Sequence, residues 1–207
     1  MDPEIVMIGL IQKILLDLVE EKAGPEAVRD VKRSAGVPLD RIFRLGEIYS
    51  DTEWQNLLSA ACRVLGANED EVMERYADVF GRDALVRFSK WFEMSANSRE
   101  FLERQITIHN VFASGVVDPN SRKAVVDKFR IETFDDKIVT HYRSPNKLCS
   151  LYKALARWMF NHYGDQATIE ETKCMHRGDE ECEIHVIWKL RRRKDEANKA
   201  ITTLVES

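Results

Sequence analysis

The sequence has 207 residues, 44% hydrophobic and 32% charged, which is enough apolar material for a substantial core. Its net charge of −4 excludes the basic surface typical of a general nucleic-acid-binding protein. No apolar run reaches the roughly 18 residues of a membrane span, and the N-terminus lacks the pattern of a signal peptide. We therefore expect a cytoplasmic protein whose four cysteines are thiols or metal ligands rather than a disulfide framework.

The first half of the sequence has helical periodicity. Gly24 and Pro25 interrupt it early, whereas Ser50 and Asn68 are suitable caps for the helices that follow them. Apolar residues at helical spacing predict helices over 5–21, 25–34, 47–66, 69–80, 84–92 and 99–112. Residues 113–126 are expected to form a loop.

After residue 115 the apolar pattern alternates, as in strands. Residues 129–133 and 138–142 predict a hairpin that turns at Asp135-Asp136. A helix over 147–163 separates this hairpin from two further strands over 167–173 and 183–190. The order is strand–strand–helix–strand–strand, which predicts an α+β fold with an antiparallel sheet. We expect one domain over 1–190, with a helical half at about 1–115 and a sheet half at about 125–190, followed by a polar, partly helical tail over 191–207.

Four residues near the second hairpin have the character of metal ligands. Glu171 and Cys174 end one predicted strand, and Cys182 begins the next after a turn at Gly178. Cys149 lies at the start of the preceding helix, where the helix dipole favours a thiolate. Zinc takes four such ligands in a tetrahedron. Three unrelated thiols are the alternative, and His176 and His185 are alternative ligands, although the alternation turns His185 to the other face of the sheet.

His109 lies on an apolar face of the predicted helix 99–112. A single histidine in this setting is more often a structural residue, but haem iron is also held by a single axial histidine. Haem further requires a large apolar cavity, for which the sequence offers aromatic residues that are equally suited to an ordinary core: Trp54, Phe88, Trp91, Phe92 and Phe112.

Tyr142 and Ser144 would share a strand face, and their hydroxyls would suit a carboxylate. The next position on that face is the neutral Asn146, while Arg143 points the other way. The sequence contains no glycine-rich phosphate loop and no recognisable hydrolytic triad. It therefore gives little support for an enzyme.

Together these stretches resemble the haem nitric oxide/oxygen-binding (H-NOX) sensor domains over about residues 7–189. Residues 9–18 are similar to the family's first helix, residues 88–92 to its aromatic segment, and residues 101–109 to the helix that carries the proximal histidine. Residues 142–147 are similar to its Tyr-x-Ser-x-Arg motif, which holds the haem propionates, with Asn146 at the arginine position.

The resemblance implies a bacterial gas sensor that binds haem b through His109, with Tyr142, Ser144 and Asn146 at the propionate site. The resemblance also implies a sensor rather than a catalyst, which would signal to a histidine kinase, a cyclase or another output protein through movement of the His109 helix. Leu151 takes the place of the tyrosine that stabilises oxygen in some members, and Ile11 lies on the distal side. An apolar distal pocket favours nitric oxide as the ligand.

The cysteine set resembles the four-cysteine zinc sites of some H-NOX proteins, with Glu171 at the second ligand position. It is also similar to the Cys, Glu, Cys, Cys set of the related four-vinyl-reductase-like domains. The resemblance implies zinc on Cys149, Glu171, Cys174 and Cys182. Because Asn146 carries no charge, a haem-free binding or thiol/zinc redox module on the same fold is the alternative function. A tetrapyrrole-reducing enzyme is a weaker third hypothesis.

Overall fold

The structure, a computed structural model, describes residues 6–45 and 47–189. The predicted tail over 191–207 lies outside the described residues. Eight helices and six strands follow one another along this part of the chain. They are β1 (Val6–Ile8), α1 (Gly9–Ser34), β2 (Ile48–Ser50), α2 (Asp51–Leu65), α3 (Glu69–Arg87), α4 (Ser89–Glu93), α5 (Ser98–Glu103), α6 (Gln105–Ser114), α7 (Pro119–Val126), β3 (Phe129–Thr133), β4 (Lys137–Tyr142), α8 (Cys149–Tyr163), β5 (Ala167–Lys173) and β6 (Cys182–Trp188).

The N-terminal half is helical, as predicted, and its helix boundaries follow local signals. Gly24 breaks the regular geometry of α1 with φ 84° and ψ 175°, just before Pro25. The Ser50 hydroxyl accepts a hydrogen bond from the Thr52 amide at the start of α2. Asn68 and Glu71 form a reciprocal capping box at the start of α3. These three helices bury a common core with fully enclosed side chains that include Leu10, Ile14, Trp54, Leu57 and Tyr76.

Several predicted boundaries are wrong. Residues 6–8 are not helical, because they pair with 48–50 as a short antiparallel ribbon. The predicted helix 69–80 continues to Arg87. The predicted helix 99–112 is divided in two at Arg104, whose side chain donates to the Met94 carbonyl at 2.8 Å. The expected loop over 113–126 contains the helix α7.

The C-terminal half is an antiparallel sheet in the order β3-β4-β6-β5, which confirms the predicted α+β fold. Helix α8 lies between this sheet and the helical core. On one side Leu151 and Ala154 join the helical core, and on the other Ala156 and Phe160 pack against the sheet residue Val186. Among the residues that the structure describes, no helix has the length and apolar character needed to cross a membrane.

Candidate functional site

An apolar cavity of about 150 Å³, called the main cavity below, lies between the helical half and the sheet. The walls come from α1, α3, α6, α8 and the start of the sheet. They are lined by Ile8, Leu10, Ile11, Phe80, Gln105, His109, Lys128, Phe129, Tyr142, Leu148, Leu151, Tyr152 and Leu155.

His109 is the imidazole that lines this cavity among the residues described. Its ring lies 4.5 Å from the ring of Phe129. Burial, together with the nearby charge of Lys128, lowers the pKa of His109 to about 4, so the ring is neutral at pH 7. A second apolar cavity, of about 120 Å³, shares Phe80, Gln105, His109 and Leu155 with the first. His109 is therefore a neutral imidazole at the boundary between two apolar spaces.

Tyr142, predicted as a propionate ligand, lines the main cavity. Its ring lies 4.9 Å from Phe129, and its hydroxyl accepts a hydrogen bond from the Leu148 amide at 3.2 Å. Burial raises the pKa of Tyr142, so the phenol remains protonated. A neutral hydroxyl in this position is able to donate to an anionic group of a ligand.

Ser144 and Asn146 do not continue the strand face of Tyr142, because β4 ends at Tyr142. Residues 144–147 form a turn closed by the Lys147 amide and the Ser144 carbonyl at 2.9 Å. Both side chains are buried, but neither lines the main cavity. Asn146 lines a separate space with Trp54, and within the described chain its side-chain amide has no hydrogen-bond partner.

Lys128 is a cavity residue that the sequence reasoning missed. It lies immediately before β3, and its side chain lines the same space as His109 and Tyr142. Burial lowers the pKa of Lys128, and the charge of Asp51 opposes that shift. In the sequence, Lys128 is a single lysine between a polar segment and an apolar strand, and nothing in that pattern marks it as a ligand. Its position in the cavity wall follows only from the fold.

The predicted distal residues Ile11 and Leu151 both line the main cavity. Tyr152, which is adjacent to Leu151, also lines it. The Tyr152 hydroxyl, however, is hydrogen-bonded to the hydroxyl of Thr140 at 2.6 Å, and both residues are buried. The side chains around Ile11 and Leu151 are therefore predominantly apolar.

The four predicted zinc ligands converge. One ligand atom from each of Cys149, Glu171, Cys174 and Cys182 lies within 4.8 Å of the others. The sulfur atoms of Cys149 and Cys174 are 3.7 Å apart, so these are free thiols rather than a disulfide. The register of β4 and β6 places Tyr142 opposite Cys182, which locates this cluster beside the end of the cavity.

The electrostatics of the cluster suit a bound cation. Burial, together with the negative charge of neighbouring ligand groups, raises the pKa of Cys149. Burial opposes ionisation of Glu171 too, but hydrogen bonding to Lys153 lowers the pKa of that carboxyl. The other Glu171 oxygen, Oε1, is buried without a hydrogen-bond partner in the described structure. A divalent cation would offset the repulsion between the negative charges of the thiolates and the carboxylate, and Oε1 of Glu171 would coordinate it.

The alternative ligands lie outside the cluster. Nε2 of His176 is 2.8 Å from the Lys147 carbonyl oxygen, and His185 contacts Lys137 and Glu183 on the other face of β6. Cys62 is half-buried and packs against the helical core.

This arrangement, with a histidine-lined cavity between helices and a four-stranded sheet, defines the H-NOX fold class. An H-NOX protein from S. oneidensis in its Fe(II)NO state superposes with a TM-score of 0.70 at 17% identity, covering 88% of this chain and 99% of that one. An Fe(II) unliganded H-NOX protein from K. algicida gives 0.70 at 20% identity, covering 90% and 98%. An oxygen-binding H-NOX domain in its oxygen complex gives 0.70 at 16% identity, covering 88% and 95%.

The sequence comparison gives the family. The profile of the haem-NO-binding (HNOB) family matches residues 8–171, and the chain belongs to this family of H-NOX gas-sensor domains. Soluble guanylate cyclase gcy-37 of Caenorhabditis elegans is 31% identical over 107 residues. That match covers 50% of this chain but only 15% of the cyclase.

Proposed function

We propose that this domain binds haem b through His109 and senses nitric oxide. The observation that carries the proposal is the neutral ring of His109 at the wall of an apolar cavity between the helices and the sheet. Haem would supply the iron that binds the gas. The domain, which we take to extend over 1–190 in a cytoplasmic bacterial protein, would sense and not catalyse.

The residues of the chain then have separate tasks. Tyr142 offers a protonated hydroxyl to a propionate, and Ser144 and Asn146 support the turn that follows. The apolar side chains of Ile11 and Leu151 lie on the proposed gas-binding side of the cavity and supply no hydrogen-bond donor to bound oxygen. This favours nitric oxide over oxygen as the ligand. Hydrogen bonds from Ser98 to the Asp165 carboxylate anchor the start of α5.

Signalling would use α6 as the moving element. His109 couples the iron to α6, and α6 is separated from the anchored α5 at Arg104. Release of His109 from the iron would free α6 to shift against β3. A histidine kinase, a cyclase or another output protein would respond to that two-state change.

The test is an optical spectrum of protein expressed with ample haem precursor. We expect a Soret band that is lost in His109→Gly and restored by added imidazole. His176→Ala is the control, since His176 is exposed and lies outside the cavity, and its spectrum should match that of the wild type. A colourless wild-type protein, or a Soret band unchanged in His109→Gly without imidazole, would contradict haem ligation by His109.

A haem-free binding module is the second candidate, and the neutral, unpartnered side chain of Asn146 favours it. The cavity would then hold another apolar small molecule, and the thiols would respond to oxidants. Organic extraction and mass spectrometry of the colourless protein would identify such an occupant.

We also propose zinc on Cys149, Glu171, Cys174 and Cys182. Zn–S bonds of about 2.3 Å in a tetrahedron place two sulfurs about 3.8 Å apart. The observed separation of the Cys149 and Cys174 sulfurs is 3.7 Å. Metal analysis should give about one equivalent per chain that falls in Cys182→Ser but not in the control Cys62→Ser. Zinc-free protein after reducing, chelator-free purification would refute the site.

A further inference from the structure

We propose that Lys128, rather than a residue of the 142–147 motif, supplies the positive charge that pairs with a haem propionate. This inference rests on the proposed haem function. It identifies a ligand contact from outside the motif, at the residue immediately before β3, the strand that pairs with β4.

The backbone holds Lys128 beside Tyr142. Phe129, the next residue, is the register partner of Tyr142, and the Lys128 carbonyl accepts a hydrogen bond from the Arg143 amide at 3.0 Å. Both side chains line the main cavity. The pairing therefore places a cationic residue and a phenol hydroxyl next to each other in the cavity wall, where we expect one anionic group to contact both.

The surroundings of Lys128 strengthen its attraction for a carboxylate. The cavity lining is largely apolar, and an ion pair is stronger in such a medium than in water. The negative charge of Asp51 helps to keep Lys128 protonated and also acts on Tyr142, so all three groups belong to one electrostatic cluster. A haem propionate would be a second anion near the Lys128 cation, in addition to Asp51.

The other basic residues near the motif are not placed for this role. Arg143 is exposed, and Lys147 lines the separate space next to Asn146. Among the residues described, Lys128 is the cation that lines the cavity containing His109. The positive charge that is missing at residue 146 is thus present at Lys128, immediately before β3.

The experiment compares haem release from Lys128→Met and wild type to an excess of a haem-scavenging apoprotein. Each protein is loaded with protohaem or with its dimethyl ester, in which the propionate charges are absent. We expect Lys128→Met to release protohaem about 10- to 100-fold faster than wild type, as loss of a charged hydrogen bond implies. Release of the dimethyl ester should differ by less than about twofold between the two proteins. Lys128→Arg should retain protohaem nearly as well as wild type.

Lys147→Met is the matched control and should release both forms at the wild-type rate. Equal release of protohaem from Lys128→Met and wild type would overturn the proposal. An equal acceleration for both haem forms would also overturn it, since that result would indicate altered packing rather than a charge pair. A wild-type chain that retains neither form would refute the haem function itself.

Discussion

The hydroxyl groups of Tyr152 and Thr140 lie 2.6 Å apart and share a buried hydrogen bond between α8 and β4. Tyr152 lines the cavity next to Leu151, so its sequence position alone suggests a donor for bound gas. The bond to Thr140 instead holds the hydroxyl against the sheet. A tyrosine beside Leu151 is therefore compatible with the apolar gas pocket proposed above.

Tyr152→Phe should therefore destabilise the protein without changing its gas preference. The Thr140 hydroxyl would remain fully buried without its partner, which costs about 1–3 kcal/mol. Urea denaturation measures the loss, and NO and oxygen binding spectra should match those of wild type. Thr140→Val/Tyr152→Phe should be less destabilised than the sum of its single variants. Additive costs would show that the two hydroxyls are not coupled.

Leu151→Tyr should lengthen the lifetime of an oxygen complex, if haem is bound as proposed. Leu151 is buried and lines the cavity, so a hydroxyl at the end of a longer side chain would enter an apolar space without a competing partner such as Thr140. Stopped-flow oxygen dissociation measures the effect. Leu151→Phe is the control, because it adds the ring without the donor. Identical dissociation rates in the two variants would exclude a hydrogen bond from residue 151.

The features predicted correctly from the sequence depend on short-range or regularly repeating signals. Ser50 and Asn68 cap helices through contacts with residues two or three positions away. The alternation in β4 and β6 sets the sheet register, and that register brings Cys182 close to Cys149 and Cys174. Side-chain types and strand period were therefore sufficient for the fold class and for the thiol cluster.

The missed features depend on contacts between distant residues. β1 and β2 are three residues each, too short for a period, and they exist because they pair. The helical pattern runs without interruption across Arg104, and the division there accompanies contacts of its side chain with Met94 and Ser95. The alternation of Tyr142 does not extend to Ser144, because the strand ends at the turn.

Ser98 links the start of α5 to the end of the sheet, and Ser98→Ala should weaken this link. The Ser98 hydroxyl donates to Asp165 at 2.7 Å and accepts from the Trp188 indole at 3.0 Å. Because Ser98 is fully buried, its removal should lower the free energy of unfolding by about 1–3 kcal/mol. Urea denaturation followed by tryptophan fluorescence measures the change. Ser59→Ala, at an exposed serine, should stay within about 0.5 kcal/mol of wild type.

Gly81 of α3 packs directly against the Trp158 ring of α8, and Gly81→Ala should destabilise the protein. A Cβ atom at residue 81 would lie 2.2 Å from Cε2 of Trp158, well inside van der Waals contact. Helix propensity alone would favour alanine by about 0.5–1 kcal/mol. Overpacking of a filled core costs about 1–3 kcal/mol, so the steric effect should exceed the propensity gain.

The decisive measurement is a double-mutant cycle with Trp158→Leu, followed by urea denaturation. The smaller side chain should make room for the added methyl group, so Gly81→Ala should cost less in the Trp158→Leu background than in wild type. Stabilisation by Gly81→Ala in the wild-type background would contradict the close packing. So would an equal cost in both backgrounds, because the strain would then arise elsewhere than at the indole ring.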